Sequence, residues 1–552
     1  MKKIISVILA LAMICCLIPS AFAVGARTYY LDSENGNDAN SGMSESDAWK
    51  TLEKANSVAF NPGDKILLKA GSVFTGPFNA KGNGEEGNEI IVSSYGDIDS
   101  LGKPLIRSDK DISLFNVNNV SYWKVSNLSF TAPEGKGLYV TADGDNIVKG
   151  ITISDCCFSN IYYKECAYCD HFPIYLISRG EKARLDGITV KDCHIEKCAF
   201  GISMGGLTYE WTRDLFVSPE VSYNRNFLLE GLTLNDIYND GIIICSIYGL
   251  TVRNCSLIDT STSENHYTAP MWSHHADNYL IENCEIAGSI NTKDGMAVDF
   301  DGWTTNATYQ YIYSHDNARF IRNCCYDNYT KNDNCCVRYC LSVNDNLGGN
   351  EMAQMLTTGS VDYADDEWPV EMTNFRFYNN TIINPDYFKL SGLASDAIIA
   401  NNIFVGDMTC SFIQMRKSVD DKSGEYVYRD YNGTLTNNCF FGVSIPMRSK
   451  NNYICNPDFV SDDVENKDSF KLSSSSKLIG KGIQVEDDMG EYDFYGNKLT
   501  SVHNIGCYDG EGEDGSQSGF AYYFGTIKGI INSVLGAIYN FIDNCNNRYW
   551  IF

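Results

Sequence analysis

The densest set of titratable side chains in the chain lies between Asn291 and Asn317. Met296, Val298 and Phe300 alternate there with Ala297, Asp299 and Asp301, the period of a half-buried strand whose polar set shares one exposed face. Alternate Cα atoms on a strand lie roughly 6.5–7 Å apart, so Asp299 and Asp301 stand side by side. Asp294 comes just before them, and His315 and Asp316 just after. Cleavage of a glycosidic bond needs such a pair. One carboxyl donates a proton while the other acts as nucleophile or base, at about 5 Å for retention and 6.5–9.5 Å for inversion. Mutual repulsion raises one pKa, as an acid working near neutral pH requires. Asp299 and Asp301 are therefore the expected acid and partner, Asp294 or Asp316 their substitutes, and His315 an orienter or substrate ligand. Trp272, His274, His275, Lys293, Trp303 and Arg319 flank the cluster as candidate substrate-binding residues.

Other chemistries use the same groups. The carboxylate oxygens could hold calcium, whereas hydrolysis itself requires no cofactor. A calcium-dependent polysaccharide lyase would take a proton with a basic group, for which Lys293, Arg319, Arg322 and Arg338 are at hand. A non-catalytic glycan-binding or adhesive protein would draw on the chain's 35 tyrosines and seven tryptophans, whose faces stack on sugars in enzymes and binders alike.

The elements that position these groups come from a repeat. Ile153-Ser-Asp-Cys, Val190-Lys-Asp-Cys, Val252-Arg-Asn-Cys, Ile281-Glu-Asn-Cys and Ile321-Arg-Asn-Cys share one pattern. Val337-Arg-Tyr-Cys keeps the cysteine, and Phe377-Tyr-Asn-Asn, Ile399-Ala-Asn-Asn and Leu435-Thr-Asn-Asn keep the asparagine. Irregular spacing with a constant unit means a solenoid with loops of varying length. Asparagine suits a tight turn in the left-handed region, and its amide can bond to its equivalent one coil away. Parallel Cβ vectors make poor disulfides, so Cys156, Cys193, Cys255, Cys284, Cys324 and Cys340 read as buried fillers. Off this ladder, Cys157, Cys166, Cys169 and His171 leave a local disulfide, free thiols and zinc open.

The ends are also legible. Residues 28–38 read as a strand entering an acidic turn, in which Asp32, Asn37 and Asp38 are either turn formers or calcium ligands. Asp47 can cap a helix carrying Trp49, Leu52 and Ala55. Near the other end, Asn456-Pro-Asp-Phe-Val, Ser476-Lys-Leu-Ile-Gly and Asn504-Ile-Gly-Cys-Tyr follow in close order. With the ladder, the two ends resemble secreted right-handed parallel β-helix proteins of the pectate-lyase-like superfamily, a resemblance covering residues 28 to about 508. It implies an all-β, right-handed parallel β-helix acting on carbohydrate. Within the superfamily, Asn291-Thr292-x-Asp294-Gly295 is similar to the Asn-Thr-Asp-Gly motif of polygalacturonases, with Lys293 inserted. The string from Asp294 to Gly302 and Gln310 to Asn317 resembles secreted bacterial β-helix proteins that act on plant or host glycans.

Organisation follows. Residues 1–23 combine Lys2 and Lys3, an apolar run from Ile4 to Ile18, and Ala21-Phe-Ala23, the form of an export leader cleaved after Ala23. A cap segment is expected over 24–60, the β-helix over 61–508, an acidic Gly-rich linker over 509–519, and an amphipathic helix over 520–552. That helix carries Ile527, Ile531, Val534 and Ile538 on one side, a face for the solenoid, a partner or a membrane surface. Losing the leader's two lysines takes the net charge from −27 to −29, which excludes nucleic acid as a partner. The expected state is a secreted or cell-surface monomer with a polysaccharide substrate. Of 21 cysteines, removal of Cys15 and Cys16 leaves 19, so at least one thiol has no intramolecular partner.

Overall fold

The computed structural model describes residues 25–515 apart from 165–168, 181, 206–222, 264–265, 292, 324–330, 348–355, 358–370, 385–387, 392–395, 407–411, 414–415, 420–425, 430–432, 444 and 446–448. The expected leader, the C-terminal helix, Cys166 and Cys324 lie outside the described residues.

Short strands rich in β-branched and aromatic residues stack coil upon coil. Among the described residues, 22 strands form one continuous sheet and 13 form another. The larger sheet bends into two walls. Met271–Glu282, for example, runs through both, turning at His275 and Asn278, whose φ angles are 50° and 55°. The smaller sheet is the third wall. Ladders are parallel, as where Met271–Glu282 lies between Ile242–Arg253 and the strands Met296–Phe300 and Thr305–Gln310. Parallel strands joined by successive crossovers wind right-handed, and the molecule is a right-handed parallel β-helix. Its core is a set of stacked rungs: Phe130 lies 4.8 Å from Phe158, and Phe300 lies 4.1 Å from Tyr309. No helix among the described residues is long and apolar enough to cross a membrane.

The corner between the second and third walls carries the repeat. Its third residue takes the left-handed conformation, as at Asp155, Asp192, Asn254, Asn283 and Tyr339, with φ between 49° and 56°. Asparagine and aspartate occupy this region at little cost. The fourth residue turns inward. Cys156, Cys193, Cys255, Cys284 and Cys340 are buried free thiols, each donating to the carbonyl two residues earlier at 3.3 Å. In later coils asparagine replaces the thiol. Asn380 Nδ2 donates to Asn402 Oδ1 and Asn402 Nδ2 to Asn438 Oδ1, both at 3.0 Å, while the same amides close on Val337, Phe377 and Ile399 carbonyls.

Three sequence expectations need correction. Ile321 does not continue the ladder of Ile281: Arg319–Asn323 pairs with Met296–Phe300 on the first wall, and Ile281 is followed by Tyr309 and then Val337. Tyr311 and Ile312 fill that coil's corner, so neither asparagine nor cysteine marks it. Second, Thr51 caps the helix Leu52–Asn56, and Asp47 instead accepts from Ser41; Trp49, Leu52 and Ala55 are nonetheless buried. Third, regular coils end at Cys439–Phe441. The segment beyond Lys450 returns along the outside of the corner as a strap, where Asn401 exchanges hydrogen bonds with Ile483 and Asn379 donates to the Asn504 and Gly506 carbonyls. Asp509, expected to open the linker, is packed in this strap against His503 at 3.0 Å.

Asp32 and Asp38 are occupied as turn formers. Asp32 accepts from the Glu34 and Asn35 amides and Lys69, which outweigh its burial and hold it at about 2; Asp38 accepts from Lys50 and Thr51. Cys169 is in a disulfide, Cys157 is free, and His171 bonds to Asp111 and stacks on Tyr162 at 3.9 Å.

Asn402 both donates to and accepts from neighbouring coils. Asn402→Ala therefore lowers unfolding free energy by roughly 2–4 kcal/mol, because several buried partners lose their bonds. Cys193→Ala costs about 1 kcal/mol, since it removes one small apolar group and a weak donor. Thermal or denaturant unfolding of the two variants checks the ordering.

Candidate active site

Met296–Phe300 lies on the first wall between Met271–Glu282 and Arg319–Asn323. Register pairs Asp299 with Trp272 on one side and Arg322 on the other. Val298 and Phe300 point into the core, so Asp299 points outward, as the alternation requires. It is not on an exposed face, however. All five residues of the strand are buried, Asp299 to 4% exposure, while Asp301 is half-buried. Burial of an outward-facing residue is a feature that strand periodicity does not register.

A second loop holds Asp294. Buried Asn291 accepts from the Lys293 amide at 2.8 Å and the Asp294 amide at 3.3 Å, and donates to the His266 carbonyl and Thr268 Oγ1. Gly295 follows at φ +61°, where a Cβ would sit 2.1 Å from the Asn291 carbonyl, so only glycine closes this turn. Arg322 donates to Asp294 Oδ1 at 2.9 Å, and Arg319, 3% exposed, donates to the Asp294 and Lys293 carbonyls. Arg319 thus secures the loop from beneath rather than facing a ligand. Lys293 lies over the ring of Tyr267 at 5.5 Å.

The structure adds Asp240, which carries no distinguishing signal in the sequence: it sits in Asn239-Asp240-Gly241, the composition of an ordinary turn. Asp240 Oδ1 accepts from the Ala269 amide and from Trp272 Nε1, both at 2.9 Å. Trp272 is therefore committed to a carboxyl. His274 and His275 join the same wall, with ring nitrogens 2.7 Å apart and the His275 ring 5.9 Å from Trp303. Continuing the register beyond Ser273 and Phe300 sets His274 beside Asp301, whose amide bonds to the Ser273 carbonyl at 2.9 Å.

His315 and Asp316 are elsewhere. Tyr313–His315 belongs to the third wall, where His315 bonds to Asp316 and Glu285, and neighbouring Tyr313 packs near Phe494 of the strap. They follow the aspartates closely in sequence, but two corners of the coil intervene.

Burial dominates the electrostatics. It raises Asp299 well above the carboxylate range, reinforced by the Asp301 carboxyl in hydrogen-bonding contact with it and opposed by Arg322. Asp299 Oδ1 is buried without a hydrogen-bond partner. Burial also raises Asp294, against the attraction of Arg322 and Arg319. Asp240 is pushed to about 7 by burial, with Asp294 adding to the effect and the Ala269 and Trp272 donors opposing it. The same desolvation lowers His274 to about 3, with His275 adding to it, and His275 to about 4. Both imidazoles are neutral near neutral pH. Burial therefore favours the protonated form of these carboxyls, and a protonated carboxyl is what a general acid requires. No group of three or more histidine, cysteine, aspartate or glutamate side chains among the described residues is arranged to hold a metal ion.

Fold and site together define a right-handed parallel β-helix with a buried carboxyl cluster on its first wall. No protein-family model matches the chain. In sequence it is 25% identical over 480 residues to a lacto-N-biosidase of Bifidobacterium longum subsp. longum, covering 68% of this chain but only 29% of that protein. In structure it is similar to a GH136 lacto-N-biosidase from Eubacterium ramulus. The selenomethionine derivative superimposes with a TM-score of 0.51 at 21% identity, covering 66% of this chain and 64% of the other. The native form of that protein gives 0.49 at 20% identity.

Asp240 titrates near 7 when folded and near 3.8 when unfolded. The folded state thus binds more protons between these values, and stability falls as pH rises from about 4 through 7. Asp240→Asn keeps an acceptor for Ala269 and Trp272. It raises the melting temperature at pH 8 relative to the parent, and the gain vanishes at pH 4; melting curves across this window check the sign.

Proposed function

We propose that the chain is an exported glycoside hydrolase acting on a host or plant glycan. The observation carrying this reading is the convergence of Asp294, Asp299 and Asp301 on one wall, two of them with raised pKa. Asp299 and Asp301 are in contact and cannot both be charged. The more buried Asp299 keeps the proton and donates it to Asp301, which is left ionised and oriented. Asp301, the more accessible of the pair, is the nucleophile or base. Asp294, part-exposed at 17% and held by Arg322, is the proton donor to the leaving oxygen. Asp299 is a positioning residue, since its 4% exposure leaves no room for a sugar.

The lyase alternative is less well supported. Arg319 and Arg322 are committed to the Asp294 loop, and Arg338 lies under the strap, donating to the Asp488 carbonyl at 2.6 Å. The relatives' name supplies the first substrate to test: a glycan containing lacto-N-biose. Export rests on the leader-like residues 1–23.

Asp294→Asn and Asp301→Asn each lower kcat by roughly 10²–10⁴-fold, with melting temperature almost unchanged. Asp299→Asn, a neutral isostere of the protonated acid, costs roughly tenfold and shifts the acidic limb of the pH profile. The assay follows reducing-end release from lacto-N-biose-containing oligosaccharides together with ultraviolet absorbance, which an unsaturated lyase product would raise. Full turnover in both Asp294→Asn and Asp301→Asn would remove these residues from the chemistry.

A further inference from the structure

A second concavity opens on the first wall, near the N-terminal end of the solenoid. It has a volume of about 380 Å³ and is lined by Asn79, Asn116, Asn118, Tyr139, Thr141 and Arg179, with Ala80 at its edge. Three successive coils build it, and Arg179 is added from a fourth. Register sets Asn79 beside Asn116 and Asn116 beside Tyr139, and on the next outward rung Asn118 beside Thr141. The intervening Phe115, Val117, Leu138 and Val140 point into the core, so the polar set faces outward as a block.

The floor of the concavity is rigid. Asn116 Nδ2 donates to Asn79 Oδ1 at 2.9 Å, and the Tyr139 hydroxyl donates to the Asp170 carbonyl. Above the floor, polar groups are left over. The side chains of Asn118 and Thr141 make no hydrogen bond among the described residues. Thr141 is only 7% exposed, yet its hydroxyl is not sealed off. The one cation, Arg179, lies 3.7 Å from Asp143, which balances its charge. No unpaired carboxylate lines the space to attract a metal. An amide and a hydroxyl side by side, each both donor and acceptor, complement the adjacent hydroxyls of an uncharged sugar.

We propose that this concavity is an accessory binding site for neutral sugar units of a glycan chain, separate from the carboxyl cluster. The ligand class rests on the glycan reading given above. The rung of Asn116 passes through Tyr139, Tyr175, Ser203, Ile243 and Trp272 to Asp299, six steps, or about 29 Å at coil spacing. Between the two sites the wall is closed: Tyr175 is 3% exposed, packed with Phe172 and Phe200. A short oligosaccharide held at the carboxyls does not reach the concavity. A long or multiply branched glycan engages both, and the second contact raises its effective concentration at the first.

The test uses the full chain carrying Asp301→Asn, to prevent turnover, in native gels containing gastric mucin, with and without the added pair Asn118→Ala and Thr141→Val. The parent is expected to be retarded and the added pair to abolish most of the retardation. In the active chain the same pair raises KM for mucin at least about fivefold. It leaves kcat/KM for a nitrophenyl lacto-N-bioside within twofold and the melting temperature unchanged. An unretarded parent, or equal retardation with and without the pair, would overturn the accessory site even if hydrolysis is found. Retardation that depends on the pair, in a chain that hydrolyses nothing, would instead retain the site and remove the glycosidase reading.

Discussion

The corner between the second and third walls fixes everything that projects from the others. There each coil turns within two residues, by a left-handed residue followed by an inward-facing group that is cysteine or asparagine in most coils and leucine or isoleucine in the rest. Where that group is asparagine, one side chain binds the coil on either side: Asn402 accepts the Asn380 backbone amide at 2.9 Å and donates onward to Asn438. A parallel β-helix has no long-range clamp across its axis, and each coil is held by its neighbours. A slip of one residue at the corner would turn Asp299 into the core and Val298 outward.

In-register stacking brings like positions together whatever their character. Amides profit from this, because each carries both donor and acceptor, and the ladder satisfies itself. Carboxyls do not, since ionised they only accept. The first wall resolves this in two ways. Arg322 occupies the rung after Asp299 and reaches Asp294, and burial keeps Asp299 protonated, so that one member of a contacting pair becomes a donor. Asp240 is satisfied differently, by the Trp272 indole and the Ala269 amide. Asp294 and Asp240 thus take their partners from an adjacent coil or loop, and Asp299 from its own coil.

Local periodicity made the solenoid legible, and it located the strand of Asp299 with Val298 and Phe300 facing the core, although Ala297 rather than Met296 joins them there. It could not register depth. An outward residue can be exposed or buried at the same period, and Asp299 is buried. Proximity in sequence also misled at His315 and Asp316, because a coil of this length carries the chain round two corners to the third wall. Ile321-Arg-Asn-Cys copied the repeat's spelling on the wrong wall, while the coil of Tyr309 kept the geometry with different letters. Asp240 and Asn291 left no signal beyond an Asx turn. The one hint lay in Asn291-Thr292-x-Asp294-Gly295, where an asparagine three residues before an aspartate and a following glycine describe a loop that presents a carboxyl.

The covering of the first wall has a consequence for specificity. An uncovered β-helix wall is a long open groove, suited to an extended polymer cut anywhere along its length. Here Phe172, Phe200 and Tyr175 fill the wall between the N-terminal concavity and the carboxyls, and the loops at 266–269 and 291–295 are pinned to each other through Asn291. Under the proposed reading, a sugar at Asp294 and Asp301 meets these buried aromatics on the N-terminal side rather than a continuing groove. The two kinds of burial have separate sources: the pinned loop at 291–295 holds Asp294 where burial raises its pKa, whereas the aromatics fill the wall between the carboxyls and the concavity.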